Sequence, residues 1–150
     1  MRRVSKAGIV VAVLIGGAQV VRLTATNPPV HGDLVAPPEV KRVLRRACYD
    51  CHSNETEWPW YSAIAPTSWV IRRDVNEGRR RLNFSDWADY ESDPETAVQK
   101  LRQIATAVAS RDMPPTYYRL LHAAARLTAT QREVVSRWCE QEAGQHSPTH

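Results

Sequence analysis

The chain has 150 residues, 43% hydrophobic and 24% charged, enough for one small domain with an extension. Its formal charge of +4 is confined to the N-terminus: Arg2, Arg3, Lys6 and Arg22 are four of the 20 basic residues, no acid stands among the first 22 positions, and the remainder carries 16 basic against 16 acidic residues. A domain without a basic surplus argues against nucleic acid as a partner.

Positions 1–23 read as an export segment. "MRRVSK" is basic, and "AGIVVAVLIGGAQVV" (Ala7 to Val21) has Gln19 as its only strongly polar side chain. As a helix those residues span about 22 Å, short of the roughly 30 Å hydrocarbon core of a bilayer. Two readings follow. One is a cleaved secretory signal, with Gly16 and Ala18 suiting a cut after Ala18. The preferred one is a retained signal-anchor, lengthened by Leu23 and by snorkelling of Lys6 and Arg22. The basic residues ahead of the segment leave the N-terminus in the cytoplasm and carry the rest to the periplasmic side of the inner membrane.

Residues 24–38, "TATNPPVHGDLVAPP" with Pro38 closing the pair, lack periodicity and read as a Pro-rich tether. No alternation is long enough for a strand, so residues 39–144 are predicted to form a small all-α domain of about four helices. The first starts at Pro37-Pro38, with Val40, Val43, Leu44 and Ala47 as its apolar stripe. A second runs near Pro66 to Gly78, with Gly78 as a stop signal. The third follows a capping box at Ser92-Asp93-Pro94-Glu95, buries Ala97, Leu101, Ile104, Ala105 and Val108, and ends before Pro114-Pro115. Thr128-x-x-Gln131 opens the last, with Val134, Val135 and Trp138 as core candidates and Gly144 near its end; residues 145–150 read as a frayed tail. Arg72, Arg73 and Arg79 to Arg81 read best as a solvated face, and Cys139 as a small buried apolar residue.

The most informative stretch is Cys48-Tyr49-Asp50-Cys51-His52. From 3 Cys and 5 His in 150 residues, the expected number of C-x-x-C-H matches is roughly 0.002. The pattern is that of c-type haem attachment. Two thiols about one helical turn apart can each bond a different vinyl group on one edge of a macrocycle, and the adjacent imidazole can then take the iron. A thioredoxin-like dithiol wants a preceding strand, which is missing here, and a structural disulfide remains open in an exported chain. A zinc site wants four ligands, and Cys139, His122 and His31 are scattered. Met113, the only methionine besides the initiator, stands between two predicted helices before Pro114-Pro115 and is the preferred sixth ligand. His122 is the alternative; His31, His146 and His150 fall in tether and tail. Trp58, Trp60 and Tyr61 are candidates for a haem pocket and equally for plain core.

"NPPV" at Asn27–Val30, "ACYDCHSNETEWPWYS" at Ala47–Ser62, "LNFSDW" at Leu82–Trp87 and "DMPP" at Asp112–Pro115 resemble the bacterial haem-binding domain family of small exported proteins with a single C-x-x-C-H. "LTATQREVVSRW" is also similar to the last helix of monohaem cytochromes c. The resemblance implies a cytochrome c-like all-α fold, one haem c bonded at Cys48 and Cys51, axial His52, and a retained membrane segment.

The expectation is therefore a membrane-tethered, periplasm-facing haem protein that passes single electrons to or from a redox partner protein, with His52 and Met113 on the iron. A small-ligand sensor or peroxidase with an open sixth position is the alternative, and a haem-dependent assembly module is a third.

Overall fold

The computed structural model describes residues 5–20 and 25–146. Within them the regular structure is helical and no strand occurs, in agreement with the all-α expectation. The helices are α1 (Lys6–Ala18), α2 (Pro38–Ala47), α3 (Tyr49–His52), α4 (Thr67–Arg81), α5 (Trp87–Glu91), α6 (Pro94–Ala109), α7 (Thr116–Leu121) and α8 (Ala129–His146), joined by three short 3-10 turns.

The apolar stripes decide the packing. Val40, Val43, Leu44 and Ala47 of α2 are all buried, as are Ala97, Leu101, Ile104, Ala105 and Val108 of α6. α6 and α8 form the most extensive helix pair, α2 lies on α8, and α3 lies on α4. Val135 and Cys139 supply the α8 side of the core, while Val134 and Trp138 are only partly covered. Phe84, stacked on Tyr49 at 4.9 Å and on Trp87 at 6.5 Å, links the α3 turn to that core.

Several sequence expectations are corrected. The tether is docked rather than free: His31 N and Leu34 N donate to Ser85 O and Phe84 O at 2.8 and 3.0 Å, Trp87 N donates to Gly32 O at 2.7 Å, and Leu34 is buried. Gly32 is required there, with φ +123° and Ala88 Cβ 2.6 Å from where a Cβ would sit. The cap of α6 is Asp93 and not Ser92: its carboxylate accepts from Glu95 N and from Thr96 Oγ1, at 3.3 and 2.5 Å. The Thr128–Gln131 box forms as expected, Thr128 N donating to Gln131 Oε1 at 2.9 Å and Gln131 N to Thr128 Oγ1 at 3.1 Å. α8 runs to His146, and residues 147–150 of the expected tail lie outside the described residues. α5 and α7 are additional short helices; α6 ends at Ala109, ahead of the proline pair, and Pro115 caps the N-terminus of α7.

α1 takes up most of the expected export segment and buries none of its residues; Val13 and Leu14 are each 66% exposed. No helix among the described residues is long and apolar enough to cross a membrane. The helix does touch the domain at its end, where Gln19 pairs with the Ala65 backbone in both directions at 3.1 Å.

Gly78 does not stop its helix; α4 continues to Arg81. The glycine is there because a Cβ at position 78 would lie 2.3 Å from Cys51 O. Gly78→Ala is expected to lower stability by about 1–3 kcal/mol, the usual cost of forced overpacking. Urea unfolding checks this, and an unchanged midpoint would show that α3 and α4 do not approach so closely.

Candidate functional site

α3 is one turn long, and its position is set from three sides. Cys48 N donates to Leu44 O and His52 N to Cys48 O, at 2.8 and 2.9 Å, which carries helical bonding across the break at Cys48. Gly78 admits the Cys51 carbonyl. The turn that follows is buried and polar: Ser53, Asn54 and Thr56 are each below one-tenth exposed. Buried polar atoms need partners, and here they have them. Ser53 Oγ donates to Tyr49 O at 2.8 Å, and Asn54 N donates to Ser85 Oγ at 2.9 Å. Asn54 Nδ2 reaches Pro29 O at 2.7 Å, and Thr56 Oγ1 donates to Asp50 O at 2.8 Å.

Arg79 closes this turn. Its Nε donates to Ser53 O at 2.7 Å, and its Nη2 to Thr56 Oγ1 at 2.9 Å and Asn27 Oδ1 at 3.0 Å. The solvated-face reading of the arginine run therefore holds for Arg80 and Arg81, which pair with Glu77 in the open, and fails for Arg79. Nothing in "RRR" distinguishes the three; only the length of α4 past Gly78 turns Arg79 inward.

His52 Nδ1 lies 3.0 Å from Leu82 O. A carbonyl can only accept, so Nδ1 carries the proton and Nε2 is the lone-pair nitrogen. Metal-ligating imidazoles are oriented by this kind of hydrogen bond. Burial lowers the pKa of His52 against the opposing pull of the Leu82 and Gly78 carbonyls, which keeps the ring neutral.

Cys48 and Cys51 are free thiols. Burial pushes both up to about 12, reinforced for Cys48 by the neighbouring Cys51 thiol and for Cys51 by the Asp50 carboxylate. Thiol exchange runs on a lowered pKa, so the redox-dithiol reading loses its chemical support. No three His, Cys, Asp or Glu side chains among the described residues come together as a metal site, which leaves the zinc reading without a ligand set.

A partly open cavity of about 150 Å³ borders Cys51, walled by α4, α7 and the Thr56–Tyr61 stretch. Two of its three carboxylate residues are tied: Tyr118 OH donates to Asp50 at 2.5 Å, and Tyr117 OH to Asp74 at 3.0 Å. Its mouth leaves Val70 and Leu121 55% and 73% exposed, apolar surface of the kind a macrocycle would cover. His122 lines it with Nδ1 donating to Tyr118 O and Nε2 accepting from Tyr61 OH, at 3.1 and 3.3 Å. A larger open groove along α6, lined by Gln99, Arg102 and Thr106 among others, is remote from the motif.

The sequence-chosen aromatics separate. Tyr61 lines the cavity. Trp58 instead lies under Arg72, 5.3 Å from its ring, and donates to Asn27 Oδ1 at 3.1 Å. Trp60 is 78% exposed. Met113 stands outside the cavity wall on the loop between α6 and α7, 36% exposed. Arg72 carries two buried guanidinium nitrogens, Nε and Nη2, without a hydrogen-bond partner among the described residues. Of the motif, Cys51 lines the cavity and Cys48 and His52 do not, nor does Arg72. The features that fit a haem are the two neutral thiols one turn apart, the neutral oriented imidazole, the apolar mouth beside Cys51, and unpartnered Arg72 donors suited to a carboxylate.

The comparison with known families agrees. A model of the haem-binding domain matches residues 10–141, and the chain belongs to that family. Neither a curated protein nor a solved structure gives a match.

Arg79→Ala leaves the buried Ser53 carbonyl without its donor and is expected to cost about 1–3 kcal/mol. Arg80→Ala, at an exposed pair, is expected to leave the urea midpoint where it was. Equal effects of the two would show that Arg79 does not hold the turn.

Proposed function

We propose that the protein is a c-type cytochrome, with one haem bonded covalently through Cys48 and Cys51, and that it passes single electrons on the periplasmic side of the inner membrane. The observation that carries this reading is the C-x-x-C-H turn itself, in which both thiols are neutral and free while His52 holds its proton on Nδ1 against Leu82. A bound haem would supply a one-electron iron couple.

The chain's own groups divide the remaining work. His52 Nε2 is the proximal donor. Met113 is the sixth ligand, a soft thioether that favours the reduced state. His122 is the poorer candidate because Tyr61 OH already occupies its Nε2. Arg72, with its unpartnered nitrogens, is the donor for a propionate. Tyr61 belongs to the haem pocket, whereas Trp58 serves to hold Arg72 and the tether. α1 serves as a retained anchor, since it is apolar on every side and none of its residues is buried by the described residues; a cleaved signal and a soluble periplasmic domain are the alternative. The physiological partner is a redox protein that meets the haem edge.

One observation favours a second reading. The Tyr61–His122 pair puts a neutral imidazole and a phenol on the wall of the cavity beside Cys51. With an open sixth position, such a pair would serve a small-ligand sensor or a peroxidase.

Optical spectra of protein matured with the c-type apparatus test both. Haem that survives acidic acetone extraction in wild type and is lost in Cys48→Ala/Cys51→Ala is the expected result for covalent attachment. A weak band at roughly 695 nm in the oxidised protein, absent in Met113→Ala, is expected for methionine ligation. Rapid CO binding by the reduced wild type without such a band would move the reading to sensing or peroxide chemistry.

A further inference from the structure

Arg132 stands at the start of α8 and is only 8% exposed. It takes part in no ion pair shown among the described residues. One nitrogen, Nη1, donates to two backbone carbonyls: Val108 O at 3.0 Å and Met113 O at 3.2 Å. Val108 is in the last turn of α6, where carbonyls lack helical partners and the helix dipole favours a cation. Met113 lies beyond that end, on the loop to α7. A single buried cation thus bridges a helix terminus and the residue that follows its turn.

The Met113 backbone is held from the other side as well, its N–H donating to Ala107 O at 3.1 Å. Both polar groups of this residue are therefore committed to α6 and α8, while its side chain stays 36% exposed. Arg111, inside the same turn, has φ +66° and donates its N–H to Val108 O at 3.3 Å, so Val108 O gathers the turn from within as Arg132 does from outside. Burying an arginine without a carboxylate is costly, and Arg119 and Arg111 add like charge to it. A merely structural link between α6 and α8 needs no such residue: one turn further on, Ser136 Oγ makes one to Ala105 O at 3.2 Å.

We infer that Arg132 is a positioning residue for the sixth haem ligand, fixing the Met113 backbone so that the thioether is held at one place relative to α8 and the core. The inference rests on Met113 being that ligand. Arg132 acts through the Met113 carbonyl and touches no reacting atom. It also contributes a buried positive charge near the ligand loop, which favours the reduced state of a nearby iron.

The test compares full-length, haem-loaded wild type with Arg132→Gln, Arg132→Lys, Ser136→Ala and Met113→Ala. Four readings are taken: far-UV helix content, covalent haem content, the roughly 695 nm band, and the midpoint potential with the CO association rate. Arg132→Gln is expected to keep helix and covalent haem, to lose at least about half of the band, to bind CO about tenfold faster or more, and to shift to a lower potential. Ser136→Ala is expected to match wild type in all four. Arg132→Lys retains the cation with a less extended donor and is expected to fall between the two; it also decides the matter if Arg132→Gln loses its helix content. Met113→Ala without a band, beside an Arg132 variant with a wild-type band, CO rate and potential, would overturn the positioning role alone. Met113→Ala indistinguishable from wild type would overturn the ligand assignment and the positioning role with it.

Discussion

The contact between Cys51 O and the bare Cα of Gly78 is the constraint on which the site depends. With any larger residue at 78, the α3 turn would stand off from α4, and the consequences would spread in two directions. His52 Nδ1 would lose its reach to the carbonyl of Leu82, the residue that caps α4, and with it the preference for one tautomer. Arg79, next along α4, would move away from Ser53 O and Thr56 Oγ1. Tautomer, ring orientation and the buried polar turn thus share one cause, the close approach of a carbonyl to a helix backbone. A glycine in a helix interior costs about 1 kcal/mol relative to alanine, and here that cost is offset by what the approach permits.

The second organising feature is a web of buried polar groups that joins segments far apart in sequence. Asn54 collects Ser85 Oγ, Pro29 O and the amide of Asn83, and Asn83 in turn meets Asp86. Lys41 bridges Asp33, Leu34 O and Tyr49 OH at 2.5 to 2.6 Å. These bonds tie the 27–34 stretch, the motif turn and the Asn83–Asp86 turn into one body. Hydrogen bonds of this sort contribute little net energy each, but leaving one partner unmet is expensive. Their effect is to specify one arrangement, which suits a site whose imidazole must hold a fixed direction before any cofactor is attached.

How far the sequence reveals this depends on the range of the interactions. The α2 and α6 stripes, the Thr128–Gln131 cap and the C-x-x-C-H turn are local patterns, and each stands in the structure where periodicity or spacing puts it. Gly78 was legible only as a breaker, because its real partner, Cys51 O, lies 27 positions away. Residues 27–34 lacked periodicity since they form no regular element, yet their backbone is bonded to Phe84 and Ser85, a pairing no composition rule encodes. Arg79 and Arg132 look like any surface arginine until the tertiary fold turns them onto carbonyls. The Leu82 carbonyl that orients His52 has no sequence signal at all, being backbone. The "WPWYS" and "DMPP" runs were more telling as whole motifs than as separate residues, because the resemblance rests on the run.

Charge is distributed unevenly about the motif, and the asymmetry bears on redox poise. On the Cys51 side stand Asp50 and Asp74, each accepting a hydrogen bond from a tyrosine hydroxyl that turns the carboxylate to its partner. Burial first, and these carboxylates second, push the phenols of Tyr117 and Tyr118 up, so neither tyrosine is deprotonated near neutral pH. On the Met113 side stands Arg132, buried, with Arg111 and Arg119 near it and carbonyls as its acceptors. Negative charge near an iron centre favours the oxidised state and positive charge the reduced state. Under the proposed His52 and Met113 ligation the two sides would oppose one another, and the potential would follow their difference together with the softness of the thioether. The tyrosines weigh on that balance because their hydroxyls spread the carboxylate charge, whereas Arg132 pairs with no anion among the described residues. On the proposed ligation, Arg132 is therefore the charge beside the Met113 loop whose removal shifts that balance without disturbing a paired anion.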